Sequence, residues 1–413
     1  MPRAWRRCCL RSGRAAAAAG ALLALCAAAR AATLSSESSL GLEADYNSNP
    51  FLRSSDIQSA ESEAVVANLP ATYTSDTISY ELIPRVRFAE TQGVTALLSD
   101  YQYLDADWHL NQERNVLVFR GSWHRDSTFY NVFENSALNG TALHRQEETA
   151  NGSWQRLLSE RSDFELIGSY DQVNYSHNPA LVVVSYDYLQ GSVQYDRKLT
   201  ERWQWTTALG YGKYQLRDQA YRSDDEFAQT SLTHTLSELW SASLQVGYTR
   251  VTSLTQEQQL AIFEAPGGGF ELGFETLKIG ASEGTDSFAA TVERKGERVL
   301  LDLAVSQVIQ PSGLGALLTQ DDASIAASMP WTERWTVGAR LHGSRLSDPL
   351  QQISLSDRRY YDADLTASWL VTEHWTLQLS ATYLLQRYSS GLPADASSSV
   401  ALSLLRQLGH LRL

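Results

Sequence analysis

The sequence predicts an all-β protein: a transmembrane antiparallel up-and-down β-barrel of about 18 strands, within a range of roughly 16 to 20. Three observations carry this expectation. A short turn recurs along the chain, long segments alternate polar and apolar residues, and the N-terminus has the build of an export signal.

Taken in order, the N-terminal segment comes first. Arg3, Arg6, Arg7, Arg11 and Arg14 precede an apolar run from Ala15 to Ala29, which ends in the small-residue site Ala29-Arg30-Ala31. This is the pattern of a cleaved secretory signal peptide over residues 1–31, leaving 32–413 as a single barrel domain. Cys8, Cys9 and Cys26 all lie in the segment to be removed, so the mature chain has no thiol for a disulfide, a metal or a nucleophile. A closed sheet supplies stability by another route, because every backbone polar group finds a partner. The net charge of −13 becomes more negative once the leader arginines leave, which argues against nucleic acid as a partner.

The first strand is expected near Leu40 to Ser48. Next, Ile78, Tyr80, Leu82, Pro84, Val86 and Phe88 form one face against Ser79, Glu81, Arg85 and Arg87. A period of two is that of a strand with one wet and one greasy side. The following strand carries Asp100 and Gln102 on the wrong parity, for which a local bulge is the expected cause. Later, Val299, Leu301, Leu303 and Val305 oppose Asp302, and Tyr361, Ala363, Leu365, Ala367 and Trp369 oppose Asp362 and Asp364. Trp375, Leu377, Leu379, Ala381, Tyr383 and Leu385 oppose Thr376, Gln378, Ser380 and Thr382. A bilayer-spanning strand needs roughly 9 to 11 residues, and these segments are long enough.

Between strands, the turn reads Leu158-Ser-Glu-Arg, Leu199-Thr-Glu-Arg-Trp203, Leu236-Ser-Glu-Leu-Trp240, Trp331-Thr-Glu-Arg-Trp335 and Val371-Thr-Glu-His-Trp375. Ser75-Asp76, Asn111-Gln-Glu-Arg114 and Lys295-Gly296-Glu297 continue the series. Longer polar connections lie between the turns: Asn131 to Thr141, His177 to Ala180, Asp218 to Ser223, Gln256 to Gly269, Pro311 to Gly315 and Ser347 to Gln352. Short turns at one end and long loops at the other are a bacterial barrel layout. The strand count is loosest between Val251 and Glu297, where Phe270 to Gly280 and Ser287 to Glu293 read as one bulged strand or two. A repeat near 40 residues also suits a β-propeller. Four short strands per blade do not match two long alternating segments per repeat, and the barrel is preferred.

The inward parity collects Glu81, Asp105, Asp107, Asp126, Glu165, Asp171, Asp302, Asp362 and Asp364, against Arg85, Arg87, Arg120 and Arg340. Tyr101, Tyr103 and Tyr360 share that face, as do His124 and His342. These are the expected lumen-lining residues. Their acidic balance favours neutral or cationic hydrophilic cargo, with tyrosines to stack on sugar rings.

The opening Leu40-Gly-Leu-Glu-Ala-Asp-Tyr-Asn-Ser-Asn-Pro-Phe-Leu-Arg-Ser-Ser55, followed by the Thr-Glu-Arg-Trp turns, resembles the β-barrel porin family of exopolysaccharide-associated outer-membrane proteins. The resemblance implies a barrel encoded with surface-polysaccharide systems and serving as an export conduit, with polysaccharide-export components as partners. It carries over no catalytic residue. The chain departs from such barrels in ending Gly409-His-Leu-Arg-Leu413 without a terminal aromatic.

Chemistry beyond a pore has little sequence support. No two of the eight histidines stand at metal-ligand spacing, and no cofactor is expected. Gly267-Gly-Gly269 lacks the context and lysine of a phosphate loop. Asp224-Asp225-Glu226 reads as a solvated strand end in preference to a cation site. Asn139-Gly-Thr141 and Asn151-Gly-Ser153 match a glycosylation pattern of little weight on a bacterial route. The expected function is a non-enzymatic channel in the outer membrane of a Gram-negative bacterium, with lipid and lipopolysaccharide around it. A plugged interaction barrel is the alternative, and a barrel hydrolase using His124 or His342 with a Ser and an acid is the third reading.

Overall fold

The computed structural model describes residues 33–53, 55–93, 100–127, 143–176, 183–217, 221–265, 269–296, 298–350, 357–388 and 394–412. Outside them lie the expected signal segment, the connections Asn131 to Thr141 and His177 to Ala180, the Asn139 pattern, Gly267, Glu297 and Leu413.

Among the described residues, nineteen strands form one antiparallel sheet. They are β1 (Thr33–Asn47), β2 (Ala60–Asn68), β3 (Ala71–Thr74), β4 (Ile78–Gln92), β5 (Tyr101–Asn111), β6 (Asn115–Ser127), β7 (His144–Ser159), β8 (Ser162–Tyr175), β9 (Tyr186–Lys198) and β10 (Trp203–Leu216). β11 (Tyr221–Thr235), β12 (Trp240–Ala265), β13 (Gly269–Lys295), β14 (Leu300–Pro311), β15 (Leu317–Pro330), β16 (Trp335–Ser347), β17 (Arg358–Thr372), β18 (Trp375–Tyr388) and β19 (Asp395–Arg412) complete it. β2 and β3 are one stave broken at Leu69-Pro70, since both pair with β1 on one side and β4 on the other. Proline has no N–H to give to a ladder, which is why the stave breaks there. β1 also pairs with β19, so the sheet closes into a barrel of 18 strands.

All eight expected short turns join consecutive strands at one end. Their sequence reading centred on Glu, but the structure assigns the work to the hydroxyl before it. Thr200 Oγ1 accepts from Arg202 N (3.2 Å) and Trp203 N (3.1 Å), and Thr332 Oγ1 accepts from Arg334 N (3.2 Å) and Trp335 N (3.1 Å). Ser237 does the same for Leu239 and Trp240. The glutamates Glu201, Glu238 and Glu333 are exposed. A side-chain hydroxyl that takes two turn N–H groups offers the backbone an alternative to the ladder, so the strand stops.

Register places the alternating faces. Leu42, Phe88, Leu209, Leu244, Leu341 and Leu365 point outward and stand 56–62% exposed, although they are large and apolar. On β10, β12, β17 and β18 an outward Trp and an outward Tyr stand eight residues apart: Trp203 and Tyr211, Trp240 and Tyr248, Trp369 and Tyr361, Trp375 and Tyr383. Eight residues span about 26 Å along a strand, or roughly 20 Å along the axis at the usual tilt. The apolar band is therefore bounded by two aromatic rows. In the lower row Trp203 stacks on His234 (3.9 Å), Trp335 on Trp369 (5.4 Å), and Arg294 and Arg406 lie over Trp240 and Trp375.

Three expectations are corrected. β12 and β13 pair without a break from Trp240 and Arg294 to Ala265 and Gly269, so each is a single strand with no bulge, and Gln256 onward is strand where a connection was expected. No register shift occurs in β5; Asp100 precedes the strand and accepts from Ala89 N, while Gln102 is an outward residue at its loop-side end. The Asp224-Asp225-Glu226 run lies inside β11, where the pleat sends Asp225 inward to the Tyr188 hydroxyl and Asp224 outward to the Tyr211 hydroxyl. Such a split excludes a shared cation.

Candidate functional site: the lumen

The inner face divides into a charged sector and a narrowed outer half. In the charged sector, β1, β2 and β4 bring Glu43, Asp45 and Ser62 onto Arg87. Its Nε donates to Glu43 (3.0 Å), and Nη2 donates to Asp45 and to Ser62 (3.0 Å). With 4% of its surface exposed, Arg87 is sealed in by its partners and is not a surface that cargo meets. Next to it, Arg85 pairs with Asp105 and lies over the Tyr103 ring at 5.4 Å. Tyr101 and Tyr103 stack at 4.6 Å, and the Tyr103 hydroxyl donates to Asp126 (2.8 Å).

His124 sits between Asp105 (2.8 Å) and Glu147 (3.7 Å), and Arg145 bridges Glu147 (2.8 Å) and Asp126 (3.5 Å). Asp107 lies between His109 (2.7 Å) and Arg120 (3.1 Å). Glu81, Asp105, Asp107 and Arg120 share one hollow of about 210 Å³. Asp302, Arg340 and Asp364 meet in a second, of about 610 Å³, on the β13–β18 side. Above them His342 is held by Asp362 (2.6 Å) and Asp322 (3.1 Å), and Thr382 donates to Asp364 (2.6 Å). Glu43, Asp45, Arg145, Glu147 and Asp322 were absent from the sequence-derived set. Strand parity signals all five, but only the register shows which strands stand side by side.

The outer half is narrowed by the β14–β15 connection, expected as one of the longer polar connections over Pro311 to Gly315. It turns inward. Tyr214 on β10 donates its hydroxyl to Ser312 O (2.7 Å), and Val184 N donates to Gly313 O (2.7 Å). On one side a buried cluster of Val173, Tyr186, Tyr188, Tyr214, Leu216 and Val251 receives Leu317. On the other, Ala316 and Leu318 pack with Leu346 and Tyr360, and Leu314 adds to them. A segment that touches both β8–β10 and β16–β17 crosses the lumen. Tyr360, expected to stack on sugar, is 1% exposed and belongs to this packing, beneath Arg358 at 5.6 Å. Asp126, 5% exposed, is likewise shielded from the lumen.

Neither His124 nor His342 stands in a hydrolytic triad. A hydrolytic triad needs one ring nitrogen on an acid and the other on a nucleophile hydroxyl. In His342 both nitrogens face aspartates, and in His124 both face carboxylates. Among the described residues no group of His, Asp and Glu has metal-ligand geometry.

At the seam where the barrel closes, the Asn-Ser-Asn-Pro-Phe segment has a structural role. Asn49 Nδ2 donates to Ala396 O and Arg53 O (both 2.9 Å), and its Oδ1 accepts from Arg53 N (3.0 Å). Asn47 Oδ1 takes Ser397 Oγ (2.7 Å). Two asparagines thus lash the β1–β2 loop to the start of β19.

No protein-family model matches the chain, and no curated protein matches it in sequence. Among solved structures, the chain is similar to the outer membrane protein opdK of Pseudomonas aeruginosa, at 11% identity and a TM-score of 0.45, over 92% of this chain and 99% of that one. OccK2 (OpdF) of Pseudomonas aeruginosa, solved in complex with glucuronate, matches at 11% identity and a TM-score of 0.43, over 91% and 98%. The ferric-catecholate import receptor Fiu of E. coli matches at 9% and 0.47, over 90% and 81%.

Proposed function

We propose that the protein is an outer-membrane channel of a Gram-negative bacterium that passes hydrophilic cargo of neutral or positive charge. The observation that supports this reading is the outward apolar band between two aromatic rows, wrapped around an inner face of carboxylates, arginines and tyrosines. Hydrocarbon on the outside removes the cost of exposing so many leucines, and closure leaves no unpaired edge in the lipid. Inside, Asp302 and Asp364 share their hollow with Arg340 and with Lys295, itself paired to Glu293, and Glu165 and Asp171 add to the acidic side. Cations gain from that field. The resemblance carried by Leu40–Ser55 and the Trp turns supports an association with surface-polysaccharide export, with export components as partners and lipopolysaccharide as surroundings.

A second reading, a plugged interaction barrel, is favoured by the Pro311–Ala316 segment lying across the lumen. Planar-bilayer recording separates the two. The channel reading expects discrete steps and a reversal potential that favours potassium over chloride; folded protein that inserts and gives no current supports the plugged barrel.

A further inference from the structure

The outer wall carries a groove of about 650 Å³ across β13–β18. Small outward residues, Ala323, Gly343 and Ala363, stand there among Ile325, Leu341 and Tyr361. Its long-loop end is closed by charge. The next outward residue beyond Gly343 on β16 is Arg345, beyond Tyr361 on β17 is Arg359, and beyond Leu385 on β18 is Arg387. Register sets Arg345 opposite Arg359 and Arg359 opposite Arg387, so three exposed guanidinium groups stand side by side at strand spacings of about 5 Å.

Two acids are near the row. Arg345 Nε donates to Asp357 (3.3 Å), and Asp321 stands opposite Arg345 but takes a hydrogen bond from Gln307 (2.8 Å). Among the described residues, no carboxylate lies within ion-pair distance of Arg359 or Arg387. Elsewhere on this rim Arg217 has Asp187 as its partner and Arg222 has Asp224. Like charges set opposite one another on a sheet repel. A multiply charged anion bridging them replaces that repulsion with charge-assisted hydrogen bonds, which guanidinium groups form readily with phosphate.

We propose that this surface binds a phosphorylated, multi-acyl glycolipid of the outer leaflet, with phosphate on Arg345, Arg359 and Arg387 and acyl chains in the groove below. The inference rests on the reading that the outward face meets lipid. A groove crossing six strands is about 24 Å wide at ordinary strand spacing, which seats several chains abreast where a phospholipid offers two. Three adjacent cations suit a phosphate monoester better than a singly charged diester.

The test uses the folded barrel in detergent micelles and native mass spectrometry, with bisphosphorylated lipid A, the same lipid after removal of its phosphates, and phosphatidylglycerol as probes. One retained lipid A per barrel is expected, with the dephosphorylated form and phosphatidylglycerol lost at the same collision energy. The triple variant Arg345→Gln, Arg359→Gln, Arg387→Gln should weaken retention by at least about tenfold, the scale of a lost charge-assisted contact. Gly343→Leu, which fills the groove, should weaken it as well, and Arg125→Gln, on the far side, should not. Single Arg→Gln variants give a graded series should the triple variant fold poorly. Equal retention by wild type and the Arg variants, or equal retention of phosphatidylglycerol, overturns the site. Wild-type protein with no heat-modifiable folded band on gels overturns the membrane reading beneath it, so the two failures are distinct.

Discussion

Arg87 shows what a single residue contributes to this barrel. It is buried against two carboxylates, Glu43 and Asp45, that belong to another strand. Removing it leaves both acids, each 24% exposed, without their cation. Arg87→Ala should therefore destabilise the folded barrel by about 3–5 kcal/mol, the usual cost of breaking a buried ion pair, read as a lower urea midpoint in micelles. Arg87→Met, carrying no charge either, should not recover the loss, whereas Glu43→Gln with Asp45→Asn in the Arg87→Met background should. Parity alone placed Arg87 inward from the sequence. Its partners stayed hidden, because Glu43 and Asp45 on β1 reach Arg87 on β4 across the β2–β3 stave, and an alternating pattern cannot specify that contact. Gly315 is a second such residue: its φ of +94° is a conformation that L side chains rarely adopt. Gly315→Val should unseat the inward segment and enlarge the single-channel conductance, whereas an unchanged current would mean that the segment does not set the bore.

Among the elements, the strands were the most legible and the long connections the least. Every Trp-bearing turn stood out because the tight reversal needs a Ser or Thr hydroxyl at a fixed place, and that requirement leaves a local mark. The β14–β15 connection left none: Pro311-Ser-Gly-Leu-Gly reads like any polar loop, and its inward course depends on Tyr214 and Val184, far away in the chain. The same segment explains why β13 and β14 pair only from Lys295 and Leu300 up to Phe288 and Gln307. The last residues of β14 follow β15 toward the lumen, and β13 continues without that neighbour. Beyond Thr255 and Ile279 the β12–β13 hairpin pairs only with itself. Deleting 257–276 and rejoining the strands with a short turn should leave heat-modifiable migration and conductance intact, since no described strand pairing joins those residues to another stave. Loss of the folded band would show that the projection takes part in assembly.

For the molecule as a whole, the division of labour between its two faces was readable from a period of two, and closure was readable from the turn count. Cargo was not. Several of the acids and bases counted from parity have partners once register is known, Asp105 with Arg85 and His124 and Asp107 with Arg120, and Glu165, Asp171, Asp302 and Asp364 are among the acids left to set the net field. Asp302→Asn with Asp364→Asn should shift the reversal potential toward chloride without changing the folded fraction. A selectivity that does not move would place the ion filter in the Glu81, Asp105, Asp107 and Arg120 hollow instead.

The long β12–β13 hairpin has one more consequence. Ten paired residues past the last contact with a neighbour amount to a mast of about 33 Å. On the outer-membrane reading proposed above, with the tight turns on the inner side of the envelope, that mast would stand proud of the cell. Phage tail fibres and antibodies diffusing inward would touch it before they reached the mouth of the pore, and its sequence can drift under their pressure while conduction stays the same.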